Sequence, residues 1–367
     1  MIAATPLLGW SLIGRAKFLV SYAAYRHSDG SYGVAGINTN NDAPLSNTLM
    51  FNTAIPERAH DLTLSPDSNH LVCMARRPGR TLLVINASNG KILTRQEATK
   101  GRHFYGHACF SNDGRYLFTT ENAFDEARGV IGVRDVNRDY KQVAEWDAHG
   151  IGPHQINLSA NGDFVIVAIG GIQTHPASGR EKLNLETMQS ALVYLDAGNG
   201  RLIAKYALPE PQRSLSIRHV AVAKDGLVGM AFQEQDNSSR QNTNQLMPLV
   251  GFHRLGEPIQ TLTANEAVQY QMRGYCASIA ADATGRWFAV TSPRGSLVTL
   301  WDARTQHCTR TVKMSDCSGV AATGQVAEFI VTNGRGKMLR INAETGALNF
   351  IKSNNQALAW DNHLTSL

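Results

Sequence analysis

Histidine stands at the same place in four recurring segments: His60 begins HDLTLSPD, His107 begins HACFSNDG, His154 begins HQINLSANG and His219 begins HVAVAKDG. Each imidazole precedes a short apolar run and then a polar turn. Neutral imidazole is a good ligand for zinc, copper, iron and nickel, and ligands carried on separate rigid strands are preorganised. His60, His107, His154 and His219 are therefore the candidate metal ligands, with His363 available near the C-terminal end. A lone histidine at the start of a strand usually hydrogen-bonds nearby loop backbone. It is the recurrence at equivalent positions that raises a shared role. Asp61 beside His60, and Glu121 and Asp125 in TENAFDEARG, could orient such imidazoles or simply form turns.

A second set of residues could hold an anion. Arg76, Arg77 and Arg80, then Arg128, Arg180, Arg240, Arg294 and Arg335, fall in corresponding loops of the repeats, and Arg218 immediately precedes His219. His103, Tyr105 and His149 lie in the approaching segments GRHFYGH and HGIGPH. Guanidinium groups gathered around a histidine-lined opening would favour a carboxylate-bearing or otherwise anionic ligand. Loop arginines are also commonly just solvated, and both readings stand at this point.

Signatures of catalysis are sparse. No GxSxG elbow, P-loop, HExxH or dinucleotide fingerprint occurs. Histidine beside an acid permits general-base chemistry, but no nucleophile stands in a recognisable setting. Charge is mixed, with 35 Lys plus Arg against 30 Asp plus Glu and no clustered basic stripe, which disfavours nucleic-acid binding. Five cysteines (Cys73, Cys109, Cys276, Cys308, Cys317) form neither CxxC nor CxxCH, arguing against a zinc ribbon or attached c-type haem. Cys276 and Cys317 begin neighbouring repeats, so a disulfide between them is left open.

The elements that position these residues follow from the repeat. Two weaker copies, CASIAADATG from Cys276 and CSGVAATG from Cys317, extend the series, with spacings of 47, 47, 65, 57 and 41 residues. A period of that size marks a β-propeller with one four-stranded blade per repeat. Hairpin sequences recur within repeats, as in TLLVINASNGKILTRQ from Thr81 and ALVYLDAGNGRLIAKY from Ala191. Their Asn-Gly and similar turns tolerate positive φ angles. Six blades begin near His60, His107, His154, His219, Ala277 and Ser318. About three N-terminal strands (18–25, 31–39, 45–51) and one C-terminal strand (356–363) would complete a seventh. The expected fold is thus all-β, a single seven-bladed propeller over residues 18–367, with N- and C-terminal strands closing one blade and removing an open edge. Insertions at 170–189 and 233–247 fall between second and third strands, the first with a helical turn, the second polar enough to be mobile; 264–272 is a further helical candidate.

Residues 1–17 form a separate N-terminal segment whose apolar run is followed, not preceded, by positive charge, so an export signal is expected to be incomplete or absent. Nothing approaches the roughly 20 apolar residues of a membrane span. A monomer is expected.

The motifs GRHFYGH, TENAFDEARGVIGV, HGIGPH, GGIQTHPASGREKLNLETM, LSIRHVAVA and SPRG closely resemble the bacterial domain-of-unknown-function family fifteen-thirteen, from about residue 18 to the C-terminus. These are exported seven-bladed propellers of the YVTN-like, WD40-like class. The resemblance implies a periplasmic location and a link to iron uptake or redox handling, because such proteins are often encoded beside imelysin-like and di-haem-peroxidase-like partners. It implies no reaction. Its motif positions here are His60, Arg102, His103, His107, Glu121, His154, Arg218, His219 and Arg294. Arg102, His103, Tyr105, Glu121, Arg218 and Arg294 are accordingly the candidate ligand-binding residues, and iron, copper, zinc or haem the candidate cofactors. Two other functions compete with binding a metal, a metal chelate or a haem-type ligand at a His/Arg-rich mouth: a protein-interaction scaffold without ligand, and a metal-dependent propeller hydrolase or oxidoreductase. A non-catalytic protein is favoured.

Overall fold

The computed structural model describes residues 19–40, 49–236, 246–351 and 358–366. The N-terminal segment 1–17 and most of the polar insertion, including Arg240, lie outside the described residues.

The turn joining first and second strands shows how the repeat folds locally. In SPDSNH, SNDGRY and SANGDF the serine hydroxyl donates to an Asp or Asn side chain two residues on: Ser65 to Asp67, Ser111 to Asp113 and Ser159 to Asn161. The same oxygen accepts the backbone N–H that begins the next strand, from His70, Tyr116 and Phe164. Such side-chain turns offer the backbone partners it would otherwise lack, so the strand reverses at a defined residue.

Second and third strands are mostly buried in every blade. Phe164–Ile169 and Ala191–Asp196 are buried along nearly their whole length, because neighbouring blades cover both faces. One apolar cluster joins Phe118, Ile131 and Val133 of one blade to Val165, Val167 and Val193 of the next. Fourth strands such as Ile92–Glu97 and Lys141–Asp147 alternate towards solvent.

Seven four-stranded antiparallel sheets result. Their innermost strands, Ala59–Leu64, Arg102–Phe110, Pro153–Leu158, Leu215–Val222, Ser278–Ala281, Cys317–Ala322 and Ala359–Ser366, contact one another in sequence around an axis. In the closing blade the C-terminal strand Ala359–Ser366 is innermost and pairs with Val20–Arg26, followed by Tyr32–Asn38 and Leu49–Ile55. The seven-bladed propeller and its mode of closure are as expected from the repeats. Arg58 and Arg76 both reach Asp361 of this closing strand, at 2.6 and 3.5 Å. The first insertion contains two short 3-10 turns, Pro176–Ser178 and Leu185–Thr187, and a helix spans Glu266–Gln271. All five cysteines are free thiols; Cys276 and Cys317, instead of pairing, each donate to a buried backbone carbonyl, of Leu249 and Leu297. Among the described residues no helix is long and apolar enough to cross a membrane.

Candidate functional site

Five inner strands break their pairing register where a histidine sits. The shifts fall between Ala59 and Asp61, Phe104 and Ala108, Pro153 and Ile156, and Ile217 and His219, and in the closing strand between Trp360 and Leu364. A β-bulge re-aims a side chain. Here the bulges accompany His60, His107, His154, His219 and His363 from five successive blades, all turned towards the axis. Of the two inner strands that carry no histidine, Ser278–Ala281 pairs without a shift, while Cys317–Ala322 has one between Cys317 and Val320, so a bulge is not confined to the histidine strands. Gly106 makes the second bulge feasible: its φ is +103°, and a Cβ there would lie 2.6 Å from His60.

The imidazoles form one compact cluster. Ring centroids are 4.8 Å apart for His60 and His107, 4.9 Å for His107 and His154, and 4.9 Å for His154 and His219. The circuit closes at 4.7 Å from His219 to His363 and 4.7 Å from His363 to His60. His60, His107, His219 and His363 are buried and His154 partly so. Burial pushes His60, His154 and His219 well below the ordinary imidazole value, and neighbouring His or Arg side chains add to the effect. His363 is pushed down to about 3, by burial first and then by His107. These four rings are neutral at pH 7 and keep a lone pair.

Hydrogen bonds fix some tautomers. His107 donates from Nδ1 to Asp61 Oδ2 at 2.7 Å, which leaves Nε2 as its free nitrogen. Loss of hydration at the partly buried Asp61 raises its carboxyl, but its electrostatic interaction and hydrogen bond with His107 outweigh this and hold it below its usual value. Nδ1 of His219 donates to Gln155 Oε1 at 3.2 Å, and Nδ1 of His363 lies 3.4 Å from Ser278 Oγ across the axis. Both nitrogens of His60, Nε2 of His107, Nδ1 of His154 and Nε2 of His363 are buried with no protein partner. Leaving such an atom unsatisfied costs about 1–3 kcal/mol. Two trios, His60–His107–His154 and His107–His219–His363, each bring ligand atoms within 4.8 Å of one another. Ligand nitrogens around one tetrahedral zinc, at Zn–N distances of about 2.0–2.1 Å, sit about 3.3 Å apart, so small ring rotations would close either trio. Both trios need His107, whose one free nitrogen can serve one ion.

Above the cluster opens a cavity of about 240 Å³, lined by His60, His154 and His219 below and by Arg76, Arg77, Arg180, Arg218 and Arg294 around its wall, with Tyr105, Tyr275, Gln233 and Asn362. Burial lowers the Arg218 guanidinium to about 10, with Arg77 adding repulsion. Arg294 stacks on Tyr275 at 4.2 Å. On the opposite side of the cluster a wider vestibule of about 460 Å³ is lined by Asp61, Gln155, Ser278 and His363 among others.

The residues singled out from the sequence divide in two. His60, His107, His154 and His219 converge, as does His363. Tyr105, Arg218 and Arg294 line the cavity above them, together with Arg76, Arg77 and Arg180. The others lie elsewhere. Arg102 pairs with Glu126 and Glu145 at 2.9 and 3.1 Å, outside the cavity lining, and Arg128 joins the same carboxylates. Glu121 is fully buried against Arg134 at 3.2 Å. His103 is satisfied on both sides, Nδ1 donating to the Phe104 carbonyl and Nε2 accepting from Asn122, and burial lowers it to about 4. Asp125 pairs with His175, not with the cluster. Arg80 bonds the Ala98 carbonyl and Arg335 is exposed. Sequence reasoning did not single out Gln155, Tyr275, Gln233, Asn362 or Gly106; only the glycine left a signal, inside GRHFYGH.

Comparison with known proteins places this geometry in context. The profile of a family described as "Protein of unknown function (DUF1513)" matches residues 53–367. No curated protein sequence matches the chain. Among solved structures, hydrazine synthase from Kuenenia stuttgartiensis superposes with a TM-score of 0.61 at 12% identity, covering 94% of this chain and 99% of that one. At that identity the likeness concerns the propeller fold alone.

Proposed function

The chain belongs to the DUF1513 family of proteins of unknown function, and from the site it builds on that fold we propose that it binds one transition-metal ion at the histidine cluster. The observation that carries this is the set of buried ring nitrogens without protein partners, brought together from four blades with His219 of a fifth beside them. An apolar or hydrogen-bonded plug would fill the axis at lower cost than neutral imidazoles held with free lone pairs. Nitrogen-only donors suit zinc, copper, iron or nickel and do not suit magnesium or calcium. Asp61 has the part of the carboxylate that orients a metal-bound histidine through its other nitrogen. The cavity is smaller than the roughly 300–1,000 Å³ of pockets for drug-sized ligands, which favours an ion with small co-ligands over a haem macrocycle.

The periplasmic, iron-linked setting and the imelysin-like or di-haem-peroxidase-like partners belong to the same proposal and rest on the family resemblance alone. A ligand-free interaction scaffold is the outcome if no metal binds. A metal-dependent enzyme is the outcome if the loaded protein turns over a lactone or an electron donor.

The test is elemental analysis and metal titration of protein purified without a metal-affinity tag, with cobalt or copper as a coloured probe. One equivalent per chain is expected in the wild type. His107→Ala, which both trios need, should lose it, and Asp61→Asn should weaken it by about 10–100-fold. Wild-type protein that takes up no metal, or a folded His107→Ala that keeps full affinity, would overturn the proposal.

A further inference from the structure

The histidine cluster accounts for the floor of the upper cavity but not for its wall. Five guanidinium groups surround about 240 Å³, and no carboxylate is among the lining residues. Asp361 engages Arg76 from outside the lining but is shared with Arg58. Arg77 donates to the Thr174 hydroxyl, an uncharged partner, and Arg218 Nε is buried without one. Among the described residues no ion pair is formed by Arg77, Arg180, Arg218 or Arg294, whereas Arg102, Arg128 and Arg134, outside the cavity, all have carboxylate partners. The imidazoles below supply no negative charge either. Arg77 and Arg218 are partly buried, while Arg180 and Arg294 are exposed at the cavity rim; like charges held this close repel, and a counter-charge between them relieves the repulsion.

We infer that this cavity binds a small polyanion, of the di- or tricarboxylate or phosphate class, held by Arg77, Arg180, Arg218 and Arg294 directly above the histidine cluster. Planar guanidinium forks match carboxylate and phosphate oxygens in pairs. Four arginines without a carboxylate partner can each pair with an oxygen of one ligand, so a multiply charged ligand matches the cavity better than a monoanion. The cavity volume limits it to a small molecule. Tyr105, Tyr275, Gln233 and Asn362 add uncharged donors for the remaining oxygens. An anion seated here faces the imidazoles, where its oxygens would reach the open side of a bound metal. The inference shares the proposed metal site but does not require the metal.

The experiment is calorimetric titration of the EDTA-treated full chain with citrate, oxalate, inorganic phosphate and, as a monoanion, acetate. We expect saturable binding of one polyanion per chain, weakened about tenfold or more in Arg218→Gln and in Arg294→Gln, and unchanged in Arg128→Gln. Preference for citrate or oxalate would assign an organic acid, preference for phosphate an oxyanion. The inference is overturned if no polyanion binds, if acetate binds as tightly, or if folded Arg218→Gln and Arg294→Gln bind like the wild type. Circular dichroism checks the fold; should Arg218→Gln not fold, the Arg180→Gln and Arg294→Gln double variant decides. Anion binding without metal uptake would remove the metal proposal and leave this one intact, and metal uptake without anion binding would do the reverse.

Discussion

Acidifying the metal-free protein should destabilise it well above the pH at which its carboxylates titrate. The sign follows from the direction of the shifts. A histidine whose folded value is lowered binds fewer protons folded than unfolded, so its contribution is complete above about 6.5 and is lost as pH falls from there towards the folded value. For His363 the folded value is about 3 against an ordinary 6.5. From pH 6.5 to pH 5 that one group costs 1.5 units at about 1.36 kcal/mol each, about 2 kcal/mol. His60, His154 and His219 are shifted in the same direction by burial and add to the loss. Against the roughly 5–15 kcal/mol that holds a domain together this is a large fraction. Asp61, with its value lowered from 3.8, acts only below that window: its contribution persists above the unfolded value and fades as pH falls through the folded one. The assay is denaturant unfolding of EDTA-treated protein, followed by tryptophan fluorescence at several pH values between 7 and 5. His363→Gln, which cannot take up the proton, should reduce the slope by about 1.36 kcal/mol per pH unit, and bound metal should move the loss to lower pH. Stability that is flat from pH 7 to pH 5, or a slope that His363→Gln leaves untouched, would refute the claim that the buried imidazoles are held neutral.

Two further substitutions separate site from scaffold. Gly106→Ala puts a methyl group 2.6 Å from His60 at a φ of +103°; metal titration should show affinity reduced by about tenfold or more in a protein whose circular dichroism still shows the propeller. Glu121→Gln leaves Arg134 buried without its anion, so unfolding free energy should fall by about 3–5 kcal/mol, while titration with metal and citrate stays as in wild type. A ligand-binding Glu121, which the family motif implies, would give the opposite pattern.

Much of the fold was legible because repeat and turn chemistry are local. Ser65-Pro-Asp, Ser111-Asn-Asp and Ser159-Ala-Asn form nearly the same turn wherever they occur, and their spacing counts the blades. The histidines were legible as a set for the same reason, each standing at one phase of the repeat. His103 and His107 show the limit: four residues apart in GRHFYGH, one is satisfied by the Phe104 carbonyl and Asn122 and the other points to the axis with Nε2 free. The repeat phase marks His107 and not His103, but it is the bulge around Gly106 that physically turns His107 inward. Glu121 and Arg102 are motif residues whose partners lie within the same blade, Arg134 on the adjacent strand and Glu145 on the strand at the blade's opposite edge.

What the sequence by itself determined is the propeller, its seven blades, the closure by both termini and the candidate ligand types. Only the tertiary structure decided which side chains meet. Convergence depends on register breaks in five inner strands and on ring closure, which together bring His60 and His363, 303 residues apart in the chain, to a centroid separation of 4.7 Å. A β-bulge is a property of a pair of strands and not of either alone, so the rotation that aims each imidazole at the axis is written in no single segment. The arginine cavity is likewise a sum over blades: each arginine looks like ordinary charge until four loop arginines and Arg218 of an inner strand line one cavity with no carboxylate in its lining.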